Sequence, residues 1–264
     1  MFNFKFGADP ELFVKKDGLF VSGHGLIPGD KKEPFPVEDG AVQVDGMALE
    51  FNINPAANEE EFVYNLSSVM QQLYRMVDGY EVVAEPVADF TQEYMATQPF
   101  EAVQLGCDPD YNAWSGKENQ APDAKVSFRT GSGHIHVGWS DKEDITDERH
   151  KSMAHAVVKQ MDFYLGLPSL LFDKDTKRRE LYGKAGAHRV KPYGVEYRVL
   201  SNKWLASKEL MSWVFRASKK AVDDMFNEKY LPNLHGDIQE IINTSDIKNA
   251  KRIIKQYSLE VPNV

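Results

Sequence analysis

Along the first half of the chain, apolar residues alternate with polar ones in short runs. Phe4 to Val14 is one such run, and Lys16-Asp17-Gly18 predicts a hairpin turn into Leu19-Phe20-Val21. From Gly23 to Gly40 the chain carries Pro28-Gly29-Asp30 and Pro34-Phe35-Pro36, which cannot continue regular structure. A loop of about 18 residues is long for a compact domain, and long ordered loops often carry function. Ala41 to Asn54 alternates again, with Gly46 as a bend or bulge. Tyr80 to Val87 predicts a further strand. Ala124 to Trp139 predicts a long strand or strand pair, interrupted by Gly131-Ser132-Gly133.

At Glu59 the apolar spacing changes to three and four. Phe62, Leu66, Val69, Met70, Leu73 and Val77 then share one face of a helix over Glu59 to Val77. Asn58 supplies a capping side chain, and Glu59, Glu60 and Glu61 sit at the positive end of the helix dipole. Asp144 to Leu165 repeats the pattern with Met153, Ala154, Val157, Val158, Met161 and Leu165. Val190 to Leu200 predicts a strand, Ser207 to Phe226 a helix, and Ile238 to Tyr257 two short helices divided near Thr244-Ser245-Asp246. No internal repeat or low-complexity linker interrupts the order. The pattern implies an α+β fold, an antiparallel sheet with helices to one side. A single catalytic domain is expected over residues 1–264, with a sheet-rich core over 1–202 and C-terminal helices over 203–264.

Composition narrows the classes. Hydrophobic residues make up 42% of the 264 and charged residues 27%, which fits a folded domain and excludes a disordered one. A net charge of -9 disfavours non-specific polyanion binding, although a local basic patch remains compatible with it. Cys107 is the only cysteine, so no intrachain disulfide and no multi-cysteine zinc site can form. With no apolar run near the ~20 residues of a membrane helix and no signal-peptide pattern after Met1, a soluble cytoplasmic protein is expected.

The candidate chemistry sits on strands, where residues two apart share a face. Asp9 and Glu11 share one. Glu50, Asn52 and Asn54 share another, opposite Leu49, Phe51 and Ile53. His134 and His136 share a third, opposite Ile135 and Val137, and Glu196 and Arg198 a fourth, opposite Val195, Tyr197 and Val199. Each pair alone also suits the wet face of an antiparallel sheet, or an exposed ion pair of little energetic value. Were all four strands in one sheet, carboxylates, imidazoles, amides and a guanidinium would converge. That set suits magnesium or manganese bridging phosphate, with arginine supplying paired donors. Gly-Ser-Gly before His134 would let the backbone approach a ligand closely. A basic, glycine-rich stretch from Lys177 to Arg189 precedes the Glu196 strand and could clamp phosphates or lie solvated. Cys107 reads as structural, and Trp114, Trp139, Trp204 and Trp213 as core or cleft-wall residues.

The order of these motifs resembles a known family. Gly7-Ala8-Asp9-Pro10-Glu11-Leu12-Phe13 resembles the Gly-x-Glu-x-Glu-Phe strand of the glutamine synthetase superfamily, and Glu50-Phe51-Asn52-Ile53-Asn54-Pro55 the second acidic strand of its glutamate–cysteine ligase branch. Gly131-Ser132-Gly133-His134-Ile135-His136 resembles its histidine strand. Arg189 with Val195-Glu196-Tyr197-Arg198 resembles its distal arginine and Glu-x-Arg strand. With Gly106-Cys107-Asp108-Pro109 and Tyr182-Gly183 included, the chain from Phe4 to Asn202 looks most like the phage-type amidoligases, the carboxylate–amine ligases of type 2.

The resemblance implies a curled antiparallel sheet, a half-barrel like the glutamine synthetase catalytic domain, with helices on its convex face. It implies ATP, two or three magnesium or manganese ions, and a carboxylate joined to an amine through an acyl phosphate. Asp9, Glu11, Glu50, His134 and Glu196 then stand at metal positions. Arg189, Arg198 and Glu196 stand at catalytic positions, and Ser132, His136, Arg179 and Tyr182 at nucleotide or substrate positions. Glutamine synthetase has one more residue before its first histidine, so which of His134 and His136 meets metal stays open. The implied partners are a small-molecule or peptide carboxylate and an amine, with a modified nucleobase left open and the host cytoplasm as location if phage-encoded. A guanidino-type kinase, a metal-dependent hydrolase and a non-catalytic nucleotide-binding protein are the competing readings. The loop from Gly23 to Gly40 and the segment from Thr91 to Asn119 are expected to shape substrate choice.

Overall fold

The computed structural model describes residues 3–104, 109–120 and 126–263; Cys107 lies outside them. Strand β1 (Lys5–Lys16) turns through Asp17 and Gly18, both at positive φ, into β2 (Leu19–Val21). β3 (Phe35–Val37) falls inside the expected long loop, and β4 (Gly40–Asp45) and β5 (Ala48–Ile53) complete a meander with it. Gly46, expected as a bend, is a hairpin turn instead, because its φ of 59° reverses the chain so that Asp45 pairs with Ala48. Helix α1 (Glu59–Met76) begins where expected, its Glu61 N–H donating to the Asn58 side chain, a cap worth about 1 kcal/mol.

Pro86 divides the strand expected over Tyr80 to Val87 into β6 (Glu81–Val83) and β7 (Val87–Asp89). Two short helices follow, α2 (Gln92–Ala96) and α3 (Phe100–Val103), then the small hairpin of β8 (Tyr111–Asn112) and β9 (Lys117–Glu118). The strand pair expected over Ala124 to Trp139 belongs to two sheets. β10 (Phe128–Thr130) pairs with β7, whereas β11 (Gly133–Gly138) enters the main sheet. Asp147 caps α4 (Glu148–Met161), which continues through a π-helical turn at Asp162–Gly166 into α5 (Leu167–Ser169). After α6 (Arg178–Leu181), a hairpin of β12 (Ala187–Lys191) and β13 (Gly194–Tyr197) replaces the single strand expected over Val190 to Leu200. Helices α7 (Lys208–Phe226), α8 (Ile238–Asn243) and α9 (Ile247–Tyr257) end the chain, the last two divided at Ser245, whose φ is 54°.

The main sheet is antiparallel and open, in the order β3-β4-β5-β1-β11-β13-β12-β8-β9, with β2 and β6 pairing further along β1. One face is apolar. Phe6, Ala8, Leu12, Leu49, Phe51, Ile135, Val137, Val195 and Tyr197 bury against the helices, around fully buried Trp204 and Trp213. α1 packs over β4 and β5, and α4 over β12 and β13. The same apolar cluster runs on to Ile253, Ile254 and Leu259. The opposite face is polar, closed at one end by a smaller cluster of Phe13, Met47, Ala88, Phe90 and Ala102. No helix among the described residues is long and apolar enough to cross a membrane.

His188 sits on the apolar face, fully buried, hydrogen-bonded through Nδ1 to the Gly186 carbonyl at 3.0 Å and edge-on to His155. Burial is the main cause that lowers its pKa to about 4. At His188 the unfolded chain, titrating near the ordinary 6.5, therefore binds the extra proton first, so the contribution of this residue to stability falls as pH drops from about 6.5 to 4 and is flat above that window. His188 alone accounts for about 3 kcal/mol of this loss at 1.36 kcal/mol per pKa unit. His188→Leu is expected to flatten the dependence of urea midpoint on pH between 7 and 4.5. An unchanged slope would show that other groups drive acid unfolding.

Candidate active site

The polar face owes its chemistry to register. β1 lies between β5 and β11, so Glu11 pairs with Glu50 on one side and Asp9 with His134 on the other. Across β11, His136 pairs with Glu196, and across β13, Glu196 pairs with Arg189. On the far side Glu50 pairs with Gln43, whose Nε2 donates to Glu50 Oε2 at 2.8 Å. A row of side chains from five neighbouring strands and β12 thus lines a cavity of about 260 Å³. Asp9, Glu11, Glu50, Ser132, His134, Tyr182, Arg189, Glu196 and Arg198 all border it. A neighbouring cavity of about 780 Å³ shares Asp9, Gln43 and Glu50 as its wall and adds His136, Asn52, Trp139 and Tyr193.

Asp9 and Glu196 hold the centre. Asp9 Oδ1 lies 2.8 Å from His136 Nε2 and 3.4 Å from His134 Nδ1. Glu196 Oε1 lies 3.4 Å from His134 Nδ1 and pairs with Arg198 Nη1, while its Oε2 lies 2.8 Å from Lys191 Nζ. Arg189 Nη1 stands 3.9 Å from Glu196. Burial and the Asp9 charge push the Glu196 pKa up, but Arg198, His134 and His136 outweigh them and hold it at about 2. Burial likewise opposes ionisation of Asp9, and the two imidazoles reverse it, leaving its carboxyl well below the usual range. His134 shifts down to about 4, through burial and then Arg198. The pKa of His136, despite its burial, is raised by Asp9.

The acids nearer β5 behave oppositely. Burial and then Asp45 raise Glu11 to about 7, although the Ser132 N–H donates to its Oε2 at 2.8 Å. Burial, then Asp9, Asp45 and Glu11, raise Glu50 well above the ordinary carboxylate range. Crowded buried carboxylates of this kind call for added positive charge. Ligand atoms of Asp9, His134 and Glu196 lie within 4.8 Å of one another. Among the described residues, buried Asp9 Oδ1, His136 Nε2 and Glu196 Oε2 make no aligned hydrogen bond. The carboxylate oxygens of Asp9 and Glu196 beside the His134 imidazole fit a magnesium or manganese ion.

Other expectations change. Arg179, expected at the nucleotide, points into the helical layer instead: it donates to the Asp175 carbonyl and to Ser245 Oγ, both at 3.2 Å. Its neighbour Arg178 lies behind the cavity, donating to the Val199 carbonyl at 2.8 Å. The Lys177–Arg189 stretch is therefore not one clamp, because the turn of α6 sends successive side chains different ways. The glycines of Gly-Ser-Gly also serve another purpose. A Cβ at Gly133 would strike the Trp204 indole nitrogen and the Ser201 carbonyl, and one at Gly131 would lie 2.8 Å from the Glu85 carbonyl. They admit the 201–204 segment, not a ligand. His136 borders the larger cavity and not the smaller one.

Several cavity residues escaped sequence reasoning. Lys191 was legible, two residues after Arg189 on the same strand face. Gln43 and Asp45 alternate on β4 in the same way. Lys31, paired with Asp45 at 2.8 Å, reaches in from the long loop, and only the folded chain shows it. Tyr193, in the β12–β13 turn, hydrogen-bonds His136 Nδ1.

An open antiparallel sheet that carries acids, imidazoles and guanidinium groups on the face away from its helices defines the architecture. A family model described as Phage phiEco32-like COOH.NH2 ligase-type 2 matches residues 116–261, more than half of the 264, and the chain belongs to this family of carboxylate–amine ligases. The match takes in His134, His136, Arg189, Glu196 and Arg198 and extends through the C-terminal helices, beyond the Asn202 limit of the motif resemblance. Asp9, Glu11 and Glu50 lie before it and join the site through the sheet. No curated protein matches the chain.

Calorimetric titration with Mn2+ checks the cation assignment. Asp9→Asn and Glu196→Gln are each expected to weaken binding at least ~10-fold, as loss of a ligand or its partner does. Arg179→Gln, remote from the cavity, is expected to leave it unchanged. Equal affinity across all three variants would move the cation elsewhere.

Proposed function

We propose that the protein is an ATP-dependent carboxylate–amine ligase that works through an acyl phosphate. The observation that carries this reading is the cluster of Asp9, His134 and Glu196, brought within 4.8 Å by neighbouring strands, beside Arg189, Lys191 and Arg198. A carboxylate is a poor electrophile, and phosphorylation supplies a leaving group. In the first step a carboxylate oxygen of the substrate attacks the γ-phosphorus of ATP, and the bond to the bridging oxygen breaks to release ADP. In the second the amine nitrogen attacks the acyl carbon, phosphate leaves, and the nitrogen gives up a proton. The net products are an amide, ADP and phosphate.

The residues divide the work. Asp9, His134 and Glu196 would hold one divalent ion, and Glu11 and Glu50 another. Bound there, such ions neutralise phosphate charge and act as Lewis acids. Arg189, Arg198 and Lys191 supply fixed positive charge to the phosphoryl group in flight, where placed charge does most of the catalytic work. The larger cavity, bordered by the Trp139 and Tyr193 rings and His136, has room for a nucleoside. The smaller one, bordered by Lys31, Ser132, Tyr182 and Arg198, suits a small carboxylate. The open sheet with helices on one face is consistent with the glutamine synthetase type of cup.

Hydroxylamine trapping tests the reaction type. With ATP, Mg2+ and a panel of amino-acid and peptide carboxylates, an acyl phosphate is captured as a hydroxamate with ADP release. Glu196→Gln is expected to abolish both while keeping its thermal midpoint. A stable phosphorylated acceptor without hydroxamate would instead identify a kinase. ATP binding without turnover across the whole panel would identify a non-catalytic protein.

A further inference from the structure

The β8–β9 hairpin lies at the edge of the sheet, outside the cavity, yet the residues that lead into it touch two arginines of the site, Arg189 and Arg198. Asp110, just before β8, sets its Oδ2 3.5 Å from Arg198 Nε. Both side chains are largely buried, 11% and 13% exposed, so water screens the pair little. Asp110 is held in turn: Asn119 Nδ2 donates to its Oδ1 at 2.9 Å, and the Asn119 N–H donates to its carbonyl at 2.9 Å. One residue earlier, the Pro109 carbonyl accepts from Arg189 Nε at 3.2 Å.

The hairpin is itself fixed from behind. Tyr111 and Asn112 pair with His188 and Ala187 of β12. Trp114 Nε1 donates to Asp162 Oδ2 at 2.7 Å, and Tyr197 donates to Asp162 Oδ1 at 2.9 Å. Asp162 thus ties the hairpin to the residue that separates Glu196 from Arg198. Asp110, Trp114 and Asp162 themselves do not line the cavity.

Arg198 therefore lies between two carboxylates, hydrogen-bonded to one and ion-paired with the other. Nη1 pairs with Glu196 and reaches 3.3 Å from His134 Nδ1, whereas Nε faces the Asp110 carboxylate at 3.5 Å as an ion pair without an aligned hydrogen bond. A guanidinium is a rigid plane, so a buried carboxylate charge beside Nε biases where the Nη groups point. We infer that Asp110 is a positioning residue, which keeps the Arg198 guanidinium aimed into the cavity when Nη1 leaves Glu196 for an anionic ligand. The inference rests on the reading of Arg198 as the anion-binding member of the site. On a chain whose Glu196 is to meet a cation, Arg198 needs a second carboxylate to stay in place, and Asp110 supplies it.

The test measures binding rather than turnover, so it separates from the ligase reading. Titrate full-length protein with Mn2+-ATP and with inorganic phosphate, for wild type, Asp110→Asn, Arg198→Ala and the double variant, and record thermal midpoints for all. Asp110→Asn is expected to weaken both anions roughly 10-fold, the scale on which orienting partners act. In the Arg198→Ala background the same change is expected to cost nothing further, because its effect passes through Arg198. Asn119→Ala, which loosens Asp110 but keeps its charge, is expected to give a smaller loss of the same kind, and serves if Asp110→Asn does not fold. Unchanged anion affinity in Asp110→Asn, an equal loss in both backgrounds, or a wild type that binds neither anion would each overturn the inference. Anion binding with normal coupling but no hydroxamate would sink the ligase reading alone.

Discussion

Buried carboxylates packed side by side repel one another, and the rest of this structure follows from how that repulsion is met. Asp9, Glu11, Glu50 and Glu196 lie within one polar wall, largely removed from water. Where Arg198, Lys191 and the imidazoles of His134 and His136 come close, the acids stay ionised. Where those cations are farther off, at Glu11 and Glu50, burial and like charge drive the pKa upward. The two halves of the wall are thus electrostatically unequal, and the weaker half is the one that most needs charge brought in from outside.

Holding such a wall demands a stiff scaffold. The apolar face of the sheet supplies it: Phe6, Phe51, Ile135, Val195 and Tyr197 are fully buried against the helices, so the strands cannot rotate the acids apart. Gly131 and Gly133 let the 201–204 segment press against the start of β11, where Trp204 Nε1 donates to the Gly133 carbonyl at 3.1 Å and Asn202 Nδ2 to the Glu11 carbonyl at 2.8 Å. Glu11 and His134, far apart in the chain, are thereby held through the same short segment. Close packing of this kind leaves little room for the site to adjust except through side chains, which is why the two carboxylates beside Arg198 matter.

Much of this was legible from local pattern. Alternation on β1, β5, β11 and β13 announced four strands with chemistry on one face, because a strand of period two leaves no choice about which residues share it. The spacing of Phe62 to Leu73 and the Asn58 cap located α1 for an equally local reason. The misreadings share a cause as well. Gly46 and Pro192-Tyr193 were read within longer strands, since alternation persists across a tight turn and does not reveal that the chain has reversed. Arg179 was placed at the nucleotide by the resemblance, and a short helix of four residues offers too little periodicity to show that its side chain turns the other way.

What the sequence determined by itself was the inventory: which side chains lie on which strand face, and the order of motifs that resembles the amidoligases. Those features depend only on backbone geometry within a few residues. The strand order β5-β1-β11-β13, the slot that sets Asp9 opposite His134, and the arrival of Lys31 and Asp110 at the site were decided by tertiary structure alone. Pairing between strands that are distant in the chain is chosen by burial of the whole apolar face and by the helices that cover it, and no local window of residues contains that sum.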